Sequence, residues 1–413
     1  MDETLNRLLK SRYINMDIKY IDNDIQKGIE YDYSKIRKAL KKKKVYVTDA
    51  YNPTHEPIEK ATWFVGLSER GLGKTTGWLL FGMEMYMQYG TVIQYIRETE
   101  QMIMPKNSKD IFKVILEHDY ITKITEGKYN NVIYKSRRWY FCNVDEDGNV
   151  IDKANENFMI SLCIEKGDEL KSTYNAPRGD LILFDEFISK RVYRPNTFVY
   201  FLDLCKTILR DRHSGKIVLV ANTIDKHSQW FHELIIHKEV VKMNTLNGES
   251  KLITTPKGTK IQVSIIVNVQ RREKKSISNV LYFGFDNPAI ASITGGDWAV
   301  DNYQHCESGI QNEIEYLSRD YYIEHNDALV QIDICTHPKR EVFANLHFAN
   351  KTQDTSKIFT LANSFDDKYI YKYGTNKMHR FIWEYLYKNN LFYYATNDIG
   401  EIVNDYVKQA KFL

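Results

Sequence analysis

The chain has few cysteines and no long apolar run, and each absence excludes a class of protein. Its 413 residues contain five cysteines without a CxxC pair, namely Cys142, Cys163, Cys205, Cys306 and Cys335. This pattern argues for reduced thiols in a cytosolic setting and against zinc. The sequence shows no secretory signal and no apolar stretch that could span a bilayer. We therefore expect a protein that works inside a cell and has no membrane partner.

A strong overall charge is also lacking. The formal net charge is +3, and the basic residues form local clusters at Lys41–Lys44, Arg137–Arg138 and Arg271–Lys275. Polyanion binding would therefore use a local patch or channel. Each cluster taken singly is equally well a solvated helix end. The composition, 43% apolar and 27% charged, is that of a folded protein, and the length predicts two or three domains.

A glycine-rich loop follows an apolar run at residues 61–67 and precedes a segment compatible with a helix. Gly71 and Gly73 let the backbone fold back, so that N–H groups and the helix N-terminus converge on an anionic phosphate. Lys74 would reach the β and γ phosphates of ATP, and Thr75 would hold Mg²⁺. The first glycine of the usual GxxxxGK[ST] pattern is replaced here by a serine. The predicted nucleotide-binding residues are Ser68, Glu69, Arg70, Gly71, Leu72, Gly73, Lys74, Thr75 and Thr76.

A second motif lies about 110 residues further on. The apolar strand Leu181–Phe184 delivers Asp185 and Glu186 at its carboxyl end, where an open parallel sheet places its ligands. Asp185 would hold Mg²⁺ through water, and Glu186 would polarise the water that attacks the γ phosphate. Two adjacent acids can also form a solvated turn. Their position after a phosphate loop, with strands between, favours nucleotide hydrolysis.

Three more polar residues are candidates for the same site. Asn222 ends the strand 216–222, where its amide would sense the γ phosphate or position the attacking water; the alternative is a turn-forming asparagine. Arg210 and Arg212 lie just upstream of this strand. If subunits form a ring, either arginine could reach a neighbour's nucleotide and stabilise charge on the transferring phosphoryl group. The alternative for both is an exposed helix end.

Strands alternating with helices predict an α/β fold in three parts. We expect a P-loop ATPase domain with an N-terminal helical extension at 1–245, a small linker domain at 246–318 and a third domain at 319–413. Three strands, a helix, a strand and a helix in the third domain match the beginning of a ribonuclease H-like layout. A nuclease needs several convergent carboxylates, and Asp333 and Asp398 have no surrounding acids to complete a site. A vestigial, binding-type domain is therefore expected.

These motifs resemble those of the DNA-encapsidation ATPases of small, protein-primed podoviruses, which are relatives of the large terminases. The resemblance is carried by Arg70–Thr75, by Asp185 and Glu186, by Asn222, and by the nuclease-like third domain. It implies an ASCE-type P-loop ATPase that forms a homomeric, pentameric ring on the portal, or connector, of a viral prohead in the host cytoplasm. Such a ring threads double-stranded DNA into the capsid as it hydrolyses ATP with Mg²⁺. In that branch a structural RNA can lie between portal and ATPase.

The resemblance also implies residue roles. Arg70 would be the arginine of the phosphate loop, Glu186 the catalytic acid, and Arg210 or Arg212 the finger that acts on the neighbouring subunit. Two other functions remain open at this point. One is a large terminase that also cuts DNA, with a metal site around Asp333. The other is a nucleotide-gated assembly ATPase that moves no DNA.

Overall fold

The structure, a computed structural model, describes the chain in segments. These are residues 30–45, 51–69, 71–104, 109–166, 178–188, 196–210, 212–222, 227–243, 247–267, 303–306, 313–338, 340–362, 364 and 366–410. Arg70 and the basic cluster Arg271–Lys275 lie outside them, as does most of the predicted N-terminal extension. Within that extension, helix α1 spans Tyr33–Lys42. It begins after Asp32, whose side chain accepts a hydrogen bond from the Lys35 amide at 3.1 Å and caps the helix.

The larger of two sheets contains ten strands among the described residues, in the order β3-β4-β6-β2-β7-β8-β1-β10-β9, with β5 paired to β4. The six strands from β6 to β10 in this order run parallel, and the outer ones are antiparallel. The strands are β1 Trp63–Ser68, β2 Ile93–Arg97, β3 Asn131–Lys135, β4 Arg138–Val144, β5 Val150–Lys153, β6 Met159–Cys163, β7 Leu181–Asp185, β8 Lys216–Asn222, β9 Glu249–Thr254 and β10 Lys260–Ile266.

Helices cover both faces of this sheet, because its central strands are apolar on both sides. Leu183 of β7 packs into a core with α1, α2, α4 and α5 on one face, while its neighbour Phe184 packs with α6, α7 and α8 on the other. None of the helices in the described segments is long and apolar enough to cross a membrane. The helices are α2 Lys74–Tyr89, α3 Glu100–Ile103, α4 Lys113–Glu117, α5 Tyr120–Ile124, α6 Thr197–Leu209, α7 Gln229–Glu233 and α8 His237–Val240, with 3₁₀ turns at Pro53–His55, Lys109–Phe112 and Ile164–Lys166.

Strands β9 and β10 belong to the large sheet, although the sequence analysis assigns their residues to a linker domain. β10 pairs in parallel with β1, matching Trp63 to Ile261 and Val65 to Val263, and β9 pairs antiparallel with β10. The turn between them contains Gly258, whose φ of 89° is left-handed. The sequence pattern indicates two strands and a turn here but not their partner, so the sheet extends past residue 245 to Ile266.

The second sheet has six strands among the described residues, in the order β15-β14-β11-β12-β13-β16. β11, β12 and β13 form an antiparallel meander, and β14 runs parallel to β11. A core that includes Trp383 and Tyr406 joins the sheet to the last helices. The elements are β11 Glu315–His325, β12 Ala328–His337, β13 Arg340–Phe348, β14 Lys357–Thr360, β15 Tyr369–Tyr371, β16 Phe392–Tyr394, α9 Lys377–Arg380, a π-helix Phe381–Tyr387 and α10 Asn397–Ala410.

The meander differs in one strand from the sequence analysis. From the sequence we expect strands in this domain at 328–335, 341–348, 357–361 and 391–395, and none between 319 and 328. In the structure the strand Glu315–His325 is the first of the meander, and Lys357–Thr360 pairs with its far edge. Charged and tyrosine residues alternate irregularly along β11, which carries two register shifts against β12, so its apolar periodicity is weak.

Candidate phosphate-binding site

The glycine-rich loop connects the carboxyl end of β1 to the amino end of α2. Gly71 and Gly73 have φ of 79° and 73°, in the left-handed region that a side chain would strain. Gly73 is the N-cap of α2, so the first amide groups of that helix have no intrahelical acceptor. Leu72 is buried, and its carbonyl accepts a hydrogen bond from the Tyr51 amide at 2.7 Å. The left-handed glycines and the helix N-terminus beside them are features of loops that bind an anion.

Lys74 is the buried cation of this loop. Its Nζ lies 2.5 Å from Ser68 Oγ, 3.3 Å from the Glu69 carbonyl and 3.4 Å from Asn222 Oδ1. Burial lowers its pKa to about 8, although Asp185 and two glutamates oppose this shift. The oxygens in contact with Lys74 Nζ are neutral, so this buried ammonium group would gain from an anionic ligand. The structure thus brings Ser68, Glu69 and Asn222 to Lys74, and places a hydroxyl at the position of the usual glycine.

Thr75 and Asp185 meet across the same edge of the sheet. Thr75 Oγ1 donates a hydrogen bond of 2.8 Å to Asp185 Oδ1, and the hydroxyl of Tyr95 donates one of 2.9 Å to Oδ2. A hydroxyl and a carboxylate are oxygen ligands of the kind that Mg²⁺ prefers. The donor set therefore fits Mg²⁺ at Thr75 and Asp185. Thr76, the next residue of α2, is half-buried.

Arg97 is a member of this site to which the sequence analysis gives no role. Its guanidinium donates to Asp185 Oδ2 at 2.8 Å and to Glu186 Oε2 at 2.6 Å, and its side chain is only 14% exposed. Glu186 itself has a left-handed φ of 55°, rare for a non-glycine residue. A signal was present in the sequence, because Arg97 ends an apolar strand just as Asp185 and Asn222 do. Parallel strands bring all three ends to one edge.

The two candidate finger arginines lie at the opposite, amino edge of the sheet. Arg212 donates through Nε to Asp180 Oδ1 at 2.5 Å and through Nη2 to the Ile208 carbonyl at 2.7 Å. Asp180 directly precedes β7 and is fully buried, whereas the Arg210 side chain is exposed. Within one chain the structure brings neither arginine to Lys74. Arg212 is committed to a buried ion pair, and Arg210 faces solvent.

Asp333 and Asp398, the two acids considered for a nuclease site, lie on different elements, β12 and α10. Asp333 is buried in β12 and accepts hydrogen bonds from Gln331 Nε2 at 2.9 Å and from His347 Nε2 at 3.0 Å. Its hydrogen bond with His347 raises the pKa of that imidazole. Among the described residues, no group of three metal-ligating side chains includes Asp333. Asp398 lies on α10, near His227.

Comparison with solved structures identifies the fold. A chain of "The bacteriophage Phi-29 viral genome packaging motor assembly" matches with 15% identity and a TM-score of 0.52, over 88% of this chain and 99% of the other. The chain has the fold of a viral genome packaging motor component. "The Phi-28 gp11 DNA packaging Motor" matches with 14% identity over 88% and 99% of the two chains, at a TM-score of 0.48. No protein-family model and no curated protein matches the sequence.

We predict that the two arginines of the amino edge differ in their effect on stability. Arg212→Ala leaves the buried Asp180 carboxylate without its cation and should lower the free energy of unfolding by about 3 kcal/mol or more. Arg210→Ala removes an exposed side chain and should change it by less than about 0.5 kcal/mol. Denaturant titration of both variants, with Arg212→Lys as the charge-retaining control, measures the difference. Equal stability of the two alanine variants would contradict this assignment.

A second prediction concerns the pH dependence of nucleotide binding. A bound phosphate stabilises protonated Lys74, so the pKa of this lysine is higher in the complex than its value of about 8 in the free protein. Affinity for an ATP analogue should then fall as pH rises through this value, by at most about tenfold per pH unit. Calorimetry near pH 8.5 in two buffers of different ionisation enthalpy should show proton uptake on binding. Lys74→Arg, which does not titrate there, should show none from this source; proton release by the unmodified protein would refute the linkage.

Proposed function

We propose that this protein is the ATPase of a motor that moves double-stranded viral DNA into a preformed capsid. The observation that carries the proposal is the convergence of Lys74, Thr75, Asp185 and Glu186 at the carboxyl edge of one parallel sheet. This is the arrangement that hydrolysis of a nucleoside triphosphate requires. The shared fold with a chain of a packaging motor assembly supports the biological role.

Each residue of the site then has a role in ATP hydrolysis. Residues 68–76, which include Lys74, would bind the triphosphate, and Thr75 and Asp185 would hold Mg²⁺. When bound, Mg²⁺ neutralises charge on the β and γ phosphate oxygens. Glu186 accepts a proton from the attacking water, and Asn222, whose amide oxygen already contacts Lys74, orients that water or senses the γ phosphate. Arg70 adds positive charge to the phosphate loop.

In the structure, Arg97 binds both acids of the site. Its guanidinium binds Asp185 and Glu186 at once, so the Glu186 carboxylate is directed at a cation. A water molecule that approaches Glu186 therefore competes with Arg97 for the same carboxylate. We propose that Glu186 leaves Arg97 when it activates water. Since the Glu186 side chain is 43% exposed, that movement needs little rearrangement of the core.

The ring assembly and its partners belong to the same proposal. Arg210 is the better candidate for the finger that acts on a neighbouring subunit, because it is exposed while Arg212 is not. The assembly would be a homopentameric ring that docks on the capsid portal in the host cytoplasm, where a structural RNA can lie between portal and ring. Strands β11 to β15, with a meander followed by parallel strands, support a ribonuclease H-like third domain. The hydrogen bonds to Asp333 favour a vestigial one.

Glu186→Gln tests the catalytic assignment. The amide keeps the size of the side chain but cannot accept a proton, so ATP turnover should fall by about a hundredfold or more while ATP affinity stays within about twofold. Steady-state hydrolysis and binding of a fluorescent ATP analogue measure the two quantities. Glu117→Gln, a change at an exposed acid of α4, is the matched control and should leave both unchanged.

The effect of DNA on ATP turnover, together with a test for DNA cleavage, distinguishes the proposed motor from the two alternatives. Double-stranded DNA and assembly should raise the turnover of the unmodified protein. Turnover that is indifferent to DNA would favour a nucleotide-gated assembly ATPase. DNA cleavage with Mn²⁺ that Asp333→Ala abolishes would instead establish a terminase with a working nuclease.

Arg210 is tested by mixing subunits. Arg210→Ala should retain ATP binding but lose turnover, because the finger is supplied to the next subunit. Glu186→Gln subunits lack the catalytic acid but retain Arg210. When Arg210→Ala subunits are mixed with them, part of the ATP turnover should return, since Glu186 of one subunit then faces Arg210 of its neighbour at some interfaces. Turnover at the full rate in a monomeric preparation of the unmodified protein would show that no finger acts between subunits.

A further inference from the structure

Helix α1 carries a concentration of positive charge that the proposed ATP hydrolysis does not use. Residues 33–44 contain seven lysines and arginines and no acid, whereas the formal net charge of the whole chain is only +3. The rest of the chain is therefore net acidic. A polyanion would be attracted to this helix rather than to the chain as a whole.

The helix is amphipathic, and its lysines lie opposite its buried side. Tyr33, Ile36 and Leu40 are buried in the core of the large sheet's unit. At 3.6 residues per turn, four exposed lysines share the far side of the helix. We call this surface the lysine face, and it consists of Lys35, Lys38, Lys41 and Lys42.

Three acids near α1 are bound by two basic residues outside the lysine face. Arg37 pairs with Glu59. Lys43 Nζ lies 2.9 Å from Glu84 Oε2 of α2 and 3.4 Å from Glu126 Oε1. Within the segments that the structure describes, by contrast, no side chain of the lysine face forms an ion pair or a hydrogen bond. Its charges are therefore available to a partner.

The spacing of the lysine face is unfavourable for the helix alone. Lys38 lies three or four positions from each of the other three lysines, and like charges at these spacings repel each other on a helix. Lys35 also lies in the first turn, where the helix dipole disfavours a cation. The dipole accounts for the lysines of the last turn, Lys41 and Lys42, but not for the other two. A polyanion bound along the face would relieve both unfavourable effects.

We infer that the lysine face of α1 binds the phosphate backbone of double-stranded DNA. The inference rests on the proposed function, in which such DNA is the substrate, and adds the surface that contacts it. The four lysines extend over about 10 Å of the helix axis, and a DNA duplex carries one negative charge per about 1.7 Å of its own axis. Several phosphates therefore lie within reach of the face at once.

The composition of this surface favours duplex DNA over other polyanions. The exposed residues of α1 are one serine and four lysines, without an aromatic or apolar side chain among them. Proteins that recognise RNA loops stack aromatic side chains on the bases, and helices that lie on membranes insert apolar ones. Contacts to phosphates alone carry no sequence information. Such contacts suit a substrate whose whole length passes through the motor.

The lysine face is connected to the phosphate loop through two packed helices. The Tyr33 ring of α1 stacks on the Phe81 ring of α2 with centroids 6.4 Å apart, and Lys43 binds Glu84 of α2. Helix α2 begins at Lys74 of the phosphate loop. DNA held on α1 would thus lie on the element that is packed against the nucleotide-binding helix.

Binding of a labelled DNA duplex to the full chain without nucleotide, measured by fluorescence anisotropy over a range of salt concentrations, tests the inference. The double variant Lys38→Gln/Lys42→Gln should bind about ten- to a hundredfold more weakly at about 0.1 M salt. The slope of log affinity against log salt should become smaller by about two, because each phosphate contact contributes about 0.9. Lys257→Gln/Lys260→Gln, at exposed lysines beside the turn between β9 and β10, is the matched control and should bind as the unmodified protein does.

Three results would overturn the inference. One is equal affinity and salt slope for the unmodified protein and for Lys38→Gln/Lys42→Gln, once thermal melting shows that the variant is folded. Another is absence of duplex binding by the unmodified protein. The third is tighter binding of a structured RNA or of phosphatidylserine vesicles than of the duplex, lost in the same variant. Glu186→Gln, which should lose turnover, should bind the duplex normally. Turnover that is indifferent to DNA would refute the motor and leave the binding result in place, so the two failures are distinguishable.

Discussion

The candidate site depends on the Asp185 carboxylate, which connects three elements of the large sheet's unit. It ends β7, accepts a hydrogen bond from Thr75 at the start of α2, and accepts from Tyr95 and Arg97 at the end of β2. These bonds lie at the edge of a buried sheet, where hydrogen bonds to a charged group are stronger than in water. The phosphate loop, the acid pair and Arg97 are therefore fixed relative to one another through one side chain.

The two edges of the same sheet carry opposite kinds of polar cluster. At the amino edge, Asp180 is fully buried and is bound by Arg212, by Ser214 and by the hydroxyl of Tyr31, so its charge is compensated within the chain. At the carboxyl edge, Lys74 is buried among neutral oxygens and its pKa is lowered. The first cluster stabilises the fold. The second contains a buried ammonium group that an anionic ligand would stabilise, which is the physical basis of the proposed binding.

The local motifs were predictable because each is encoded within a few residues. Gly71, Gly73 and Lys74 define a loop by backbone freedom and charge, and an apolar run followed by Asp185 identifies a buried strand with a polar end. The structure confirms an α/β fold with a parallel sheet and places these motifs at one edge. Strand pairing was harder to predict, since a strand's pattern of apolar and polar residues does not identify the strand with which it pairs. For this reason the sequence analysis assigned β9 and β10 to a linker, whereas β11 was missed because its apolar periodicity is weak.

The sequence by itself determined which residues could bind a phosphate and a cation, because conformation and chemistry of that loop are local. Only the tertiary structure decided that Arg97 joins the acid pair, that Arg212 is used by Asp180, and that His227 meets Glu401. Each of these contacts joins residues that lie 32 to 174 positions apart along the chain. The packing of whole strands and helices brings them together, and no short pattern records that packing.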